Sequence, residues 1–229
     1  MQDLGGDIIW QVLTGSHARF AVGGDTVRRY APGYSPIAAF ADPAHPDLAG
    51  LRQLVAAGER IYLDGWTARP PADWQVDTER PMLKMLWRGE PPAADEALEA
   101  VALGPAHVAE AMALAELTRP GPFGPRTMEL GDYFGCFEDG RLVAMAGERM
   151  QAGTLREISG VCTHPDFQGR GLARRLTARL VRRQLARGET PFLHVIADNH
   201  AARVLYERMG FVTRCETLLR IVRFEGGAP

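Results

Sequence analysis

The chain has 229 residues and sets 26 Lys and Arg against 28 Asp and Glu, a formal net charge of −2. With 46% hydrophobic and 24% charged residues it can build a packed core and is too apolar for intrinsic disorder. The balanced charge excludes a general nucleic-acid binder and electrostatic adhesion to anionic membranes, both of which need a basic surface.

In chain order, the first ninety residues are the less clearly patterned part, yet they echo later sequence. Arg52-Gln53-Leu54, Gly58-Glu59 and Ile61-Tyr62-Leu63 resemble Arg183-Gln184-Leu185, Gly188-Glu189 and Phe192-Leu193. Trp74-Gln75-Val76 and residues 82–87 match Phe211-Val212 and residues 218–222, with gaps. This reads as a worn copy of the second half of the C-terminal part, without its glycine loop and with its last helix lost at Pro70-Pro71. Gly89-Glu90-Pro91-Pro92 is a linker, because proline cannot continue a helix and glycine frees the backbone. Two domains are expected, 1–92 and 93–229.

Beyond the linker, residues 97–103 read as a strand or a helix start. Residues 105–117 are Ala-rich, with helical spacing at Val108, Met112 and Ala115. Pro120, Pro122 and Pro125 force a loop. Residues 133–137 and 142–150 form a hairpin around Glu138-Asp139-Gly140, and 155–163 form a third strand. Leu172, Leu176, Leu180 and Leu185 make the apolar stripe of a helix over 171–187, ended by Gly188. Residues 192–197 form a compact apolar strand. A short helix over 201–209 comes next, capped by Asn199 or Asp198, then one or two strands over 211–222. This alternation predicts a mixed α/β sheet.

Lys84 is the only lysine, so arginine carries nearly all the positive charge. The three cysteines, Cys136, Cys162 and Cys215, are odd in number and widely spaced, neither a disulfide framework nor a zinc pattern. They suit a reducing compartment. The opening MQDLGGDIIW lacks the basic and apolar regions of a signal peptide, and no apolar run approaches the ~18 residues of a membrane span. A cytoplasmic protein without a metal site is expected.

The chemically informative stretch runs from Val161-Cys162-Thr163 through His164-Pro165-Asp166-Phe167 to Gln168-Gly169-Arg170-Gly171-Leu172-Ala173. A strand enters a Gly-rich turn that opens a helix. The first N–H groups of a helix have no internal partner and sit at the positive end of its dipole, and glycine lets a phosphate come close. The segment is a candidate pyrophosphate cradle, with Arg170 and Arg174 adding charge. It is neither a P-loop, lacking Gly-Lys-Ser/Thr, nor a dinucleotide fingerprint, lacking Gly-x-Gly-x-x-Gly.

Gln168-x-x-Gly171-x-Ala173 resembles the Gln/Arg-x-x-Gly-x-Gly/Ala signature of the GNAT acetyltransferase superfamily. Downstream, Asn199, Ala202, Leu205-Tyr206 and Gly210-Phe211 resemble its Asn-x-x-Ala-x-x-Leu-Tyr-x-x-x-Gly-Phe segment. The likeness covers about residues 100–222 and is nearest the FR47-like subgroup. It implies a mixed, mostly antiparallel sheet flanked by helices, beside a degenerate N-terminal half-lobe. The implied activity is direct acetyl transfer from acetyl-CoA to a primary amine, without a metal.

In such enzymes the loop amides, here Gln168, Gly169, Arg170, Gly171, Leu172, Ala173 and Arg174, hold the CoA pyrophosphate. Val161, Cys162 and Thr163 lie on the strand that splays from its neighbour to bond the pantetheine arm, and Asn199 contacts it. Tyr206 is the implied general acid toward the departing thiolate, and Glu157 the base, at the spacing used by the histone-acetylating branch. The implied partner is a small-molecule or peptide amine, with no nucleic acid or membrane, and a homodimer through edge strands. Its pocket is expected from the loop at 118–130 and the N-terminal lobe. An inactive acyl-CoA sensor or interaction module, or transfer of a different acyl group, remains an alternative reading. His164 and Asp166 read as turn formers, His194 as a satisfied core histidine, and Cys162 as a packed residue rather than a nucleophile.

Overall fold

Residues 7–94, 97 and 99–225 are described by the structure, a computed structural model. Asp7 Oδ1 accepts from the N–H groups of Ile9 and Trp10, both at 3.1 Å, and so starts α1 (Ile8–Thr14). Then come β1 (Ala21–Gly23), β2 (Val27–Tyr30), β3 (Ile37–Phe40), α2 (Leu48–Leu54), β4 (Arg60–Asp64) and β5 (Trp74–Trp87). The later chain gives β6 (Val101–Ala102), α3 (Val108–Thr118), β7 (Tyr133–Glu138), β8 (Arg141–Ala152) and β9 (Leu155–Thr163). It ends with α4 (Leu172–Ala186), β10 (Thr190–Ile196), α5 (His200–Arg208) and β11 (Phe211–Phe224). Among the described residues, no helix is long and apolar enough to cross a membrane.

The strands form one eleven-stranded sheet in the order β1-β2-β3-β4-β11-β5-β10-β9-β8-β7-β6. It is antiparallel except at β3–β4 and β9–β10, so the expected mixed, mostly antiparallel α/β architecture is what the chain adopts. The segments expected in pieces at 74–76 with 82–87, and at 211–222, are two continuous strands of 14 residues each. Pro81 is tolerated inside β5 because it lies beyond the last β10 pairing, Ile196 with Met82. Pro81 O still accepts from Ala197 N–H at 2.9 Å, and the Ala197 carbonyl, which the missing N–H leaves unmet, accepts from Arg203 Nη1 at 2.9 Å.

β5 and β11 run antiparallel along the middle of the sheet, and each reaches into the other half. β5 also pairs with β10, and β11 with β4. The link expected to divide the chain at residue 92 thus follows a strand that is hydrogen-bonded on both sides to the later half. The echo between the halves falls on matching connections: α2 leads into β4 beside parallel β3, and α4 into β10 beside parallel β9.

Helices α4 and α5 bury their apolar stripes on one face, where Leu172, Leu176, Leu180 and Tyr206 meet Val143, Ile158, Leu193 and Val195. Helix α1 covers the opposite face, packing Ile8, Ile9, Val12 and Leu13 against Tyr30, Leu86 and Phe192. Helix α3 closes the far end over Met145 and Cys162. Of the segment expected at 97–103, only Val101–Ala102 is strand, as an edge against β7, and Leu98 lies outside the described residues.

His17 lies buried under α1, with Nδ1 2.9 Å from the Tyr30 hydroxyl. Burial, with the charges of Arg156 and Arg19, lowers its pKa to about 4 against an opposing pull from Glu157. The unfolded chain therefore takes up this proton first, and folding stability declines as pH falls from about 6.5 toward 4. His17→Gln, which keeps an acceptor for Tyr30, is expected to flatten the decline in melting temperature over that interval. An unchanged slope in thermal melts would remove His17 from the acid response.

Candidate active site

The parallel ladder between β9 and β10 has three pairs and stops at Glu157 with Phe192. Beyond it, β9 pairs only with β8 and β10 only with β5, so the two strands diverge into a V with facing, unpaired backbone edges. A bulge widens the mouth: Met145 opposes Cys162 while Gly147 opposes Ser159. Gly160 within it takes φ +64, a left-handed conformation that favours glycine. Backbone groups left unpaired this way need a partner from water or a ligand.

At the open end of the V, β9 runs through a short turn into the N-terminus of α4. Gly169 and Gly171 have φ +77 and +74, and a Cβ added at either would meet nothing within 4 Å. Gly171 caps α4 without any side-chain hydrogen bond. The first-turn amides of a 15-residue helix thus face open space, at the positive end of its dipole. Gln168, Gly169 and Arg170 are exposed, with Arg170 stacked over the Phe167 ring at 4.7 Å. Leu172 turns its side chain into the core, so only its amide is available to a ligand. Ala173 is half-buried and Arg174 is exposed. The donor set suits a pyrophosphate.

The remaining expected residues surround the same V. Val161 packs toward α4 and α5, whereas Cys162 faces α3, where burial pushes its thiol up to about 11 and makes it a poor nucleophile. The Thr163 hydroxyl is buried without a partner. Asn199 is exposed and caps α5, its Oδ1 accepting from Ala202 N–H at 3.2 Å. The Tyr206 ring meets Phe211 edge-on at 5.8 Å. Burial and the nearby Cys162 raise the tyrosine's pKa, keeping it protonated at neutral pH, the form a proton donor needs.

Glu157 has a part other than the expected one. Its Oε2 accepts from Arg149 Nε at 2.9 Å; its Oε1 accepts from Arg149 Nη2 at 2.6 Å and from His194 Nδ1 at 2.7 Å. Burial alone would raise its pKa. The Arg149 charge and the hydrogen bonds from His194 and Arg149 outweigh that and hold it at about 2. So weak a base, with both oxygens engaged, does not take a proton from an amine at neutral pH.

Sequence reasoning missed Arg149 and Tyr133 and took His194 as satisfied. An arginine inside the apolar run of β8 was the available signal, since a buried charge requires a partner. Tyr133 is fully enclosed with an unpartnered hydroxyl, and its ring lies against Gly160, where an added Cβ would come within 3.1 Å. Phe123 of the proline loop meets that ring edge-on at 5.7 Å. The loop is tied to the N-terminal half: Arg126 N–H donates to Gly33 O at 2.8 Å and Thr127 Oγ1 to Tyr34 O at 3.0 Å. These bonds set it as a wall between Tyr133 and the N-terminal half.

The family model described as FR47-like protein matches residues 133–220. A GNAT-family structure from Novosphingobium aromaticivorans is 38% identical, with a TM-score of 0.86, and the match covers 95% of this chain and 97% of that one. A mycothiol acetyltransferase of Streptomyces coelicolor is 39% identical over 83 residues, 35% of this chain and 27% of its own length. The N-alpha-acetyltransferase RimI of Mycobacterium tuberculosis is 38% identical over 82 residues, 34% of this chain and 51% of its own length. The chain thus spans between about a quarter and half of these curated relatives.

Proposed function

The chain belongs to the GNAT family, and from that premise we propose that it is an acetyl-CoA-dependent N-acetyltransferase, passing the acetyl group directly to a primary amine in a ternary complex. The observation that carries this reading is the V of unpaired strand edges leading to the uncapped, glycine-lined start of α4. In it, the amides of residues 168–174 bind the pyrophosphate, the edge of Val161, Cys162 and Thr163 holds the pantetheine, and Asn199 closes on it. Tyr206 gives its proton to the departing thiolate, and the amine enters past Phe123 and Tyr133 on the opposite face. Acceptors such as a small amine, an amino acid, an aminoglycoside-like compound or a peptide N-terminus share that nucleophile. Residues 1–92 are, in this reading, a worn copy of the acetyltransferase half that now walls the acceptor side.

Calorimetric titration with acetyl-CoA tests the cofactor part, and thiol release across a panel of primary amines tests transfer. Tyr206→Phe is expected to lose about 10²- to 10⁴-fold in kcat with acetyl-CoA affinity unchanged. Absence of heat at roughly millimolar acetyl-CoA would overturn the reading. Binding without turnover of any amine would favour the sensor.

A further inference from the structure

Where β9 and β10 part, a second set of groups stands on the face covered by α1. His194 lies two residues past Phe192, the last β10 residue paired with β9, so its ring shares a face with Phe192 and Glu157. Its Nδ1 is 2.7 Å from Glu157 Oε1. An ionised carboxylate only accepts hydrogen bonds, so Nδ1 carries a hydrogen, and in the neutral ring it is Nε2 that presents the lone pair. That Nε2 is buried and has no protein partner, as has the hydroxyl of Tyr133 on β7, whose ring lies against Gly160 of β9. Buried polar atoms without partners are rare in native structures and mark a place for water or a ligand.

We propose that His194 takes the proton of the incoming ammonium, directly or through one water, with Glu157 as its positioning residue and Arg149 as the clamp on Glu157. This rests on the acetyl-transfer reading above. A histidine with a purely structural role would engage both ring nitrogens or leave the free one in solvent. Here one nitrogen is fixed by a clamped carboxylate and the other is buried without a protein partner, two residues past the point where β9 and β10 part. The neighbouring alternatives are engaged: Glu157 by Arg149, and Lys84, the residue facing His194 on β5, by Asp64 at 2.8 Å.

In the step, Nε2 forms a bond to one ammonium hydrogen, and the electrons of the broken N–H bond become the amine lone pair. The amine nitrogen bonds to the thioester carbonyl carbon. The C–S bond breaks with its electrons going to sulfur, which takes the Tyr206 hydroxyl proton. The nitrogen loses its surplus proton, which restores Tyr206 through solvent. His194 releases its own, so one proton leaves per turnover. Glu157 stabilises the imidazolium while it exists, by charge and by the Nδ1–H bond.

Glu157 on β9 touches this ring, and the charged and titratable groups coupled to it or to its neighbours are Arg149 on β8, Tyr133 on β7, His17 and Tyr30 through Glu157, and Lys84 on β5 with Asp64 on β4 and Asp7 at the start of α1, the last raised to about 6 by burial. The first test needs no acceptor. In ¹⁵N-histidine-labelled protein, a two-bond nitrogen–hydrogen correlation spectrum is expected to show His194 with Nδ1 protonated and Nε2 bare, and Glu157→Gln is expected to mix the tautomers. An Nε2–H tautomer in the wild-type protein overturns the proposal. The second is the pH–rate profile with whichever panel amine releases thiol fastest. His194→Gln is expected to lose about 10²- to 10⁴-fold at pH 7 and to recover as pH nears the pKa of the amine, with acetyl-CoA affinity unchanged. Glu157→Gln, the milder change, is expected to shift the rising limb of the same profile. Wild-type turnover with both profiles unmoved overturns the role of His194 and leaves the transferase standing. Failure of the wild-type protein to bind acetyl-CoA or release thiol overturns both.

Discussion

Replacing Gly171 with glutamate is expected to abolish measurable acetyl-CoA binding while leaving the fold intact. A Cβ there meets no protein atom within 4 Å, so the glutamate side chain projects from the loop into the space proposed for the pyrophosphate. The left-handed backbone at φ +74 costs a non-glycine residue about 1–2 kcal/mol. A carboxylate at a helix N-terminus returns about 0.3–1 kcal/mol, so the net loss of stability is small. Binding suffers far more: the new charge opposes the diphosphate and fills its cradle, and like charges forced together cost several kcal/mol, a loss of about 100-fold or more. Gly171→Ala carries the backbone strain without the charge and is expected to bind with only a modest loss. Calorimetry on the three proteins separates the effects. Equal affinities for the glutamate variant and the wild-type protein would sink the cradle.

Arg149→Met is expected to be the most damaging single change to stability. It leaves Glu157, 1% exposed, as a buried carboxylate without its clamp. Breaking a buried pair from one side costs about 3–5 kcal/mol, which in a chain of this size lowers Tm on the order of 10 °C. The folded pKa of Glu157, about 2, lies below the ordinary carboxylate value, so the pair's contribution is full above about pH 4.5 and is lost as pH falls toward 2. The deficit of Arg149→Met is therefore largest near neutrality and shrinks in acid, where protonation removes the stranded charge. Adding Glu157→Leu is expected to recover most of the lost stability, since an apolar replacement of both partners is often neutral or better. A double variant as unstable as the single one in thermal melts would show that the charge is not the cause.

Both changes act on residues that the sequence displayed unequally. The glycine loop, its helix and the Asn199–Phe211 segment were legible because each is local. Their residues lie within one strand–turn–helix or helix–turn unit, where spacing alone fixes geometry. The hairpin around Asp139, the apolar stripe of α4 and the Asn199 cap were readable for the same reason. Helix α1 and strands β1 to β3 were not, because seven residues of helix or four of strand are too short for a periodicity to stand out. The sequence alone therefore determined the family, the mixed sheet and the candidate phosphate cradle. Only the tertiary structure decided that β5 and β11 run the length of the molecule's centre, because strand order depends on pairing between residues more than a hundred positions apart. It also decided that Glu157 is spent on Arg149 and His194, since carboxylate chemistry is set by charges and burial that no linear spacing records.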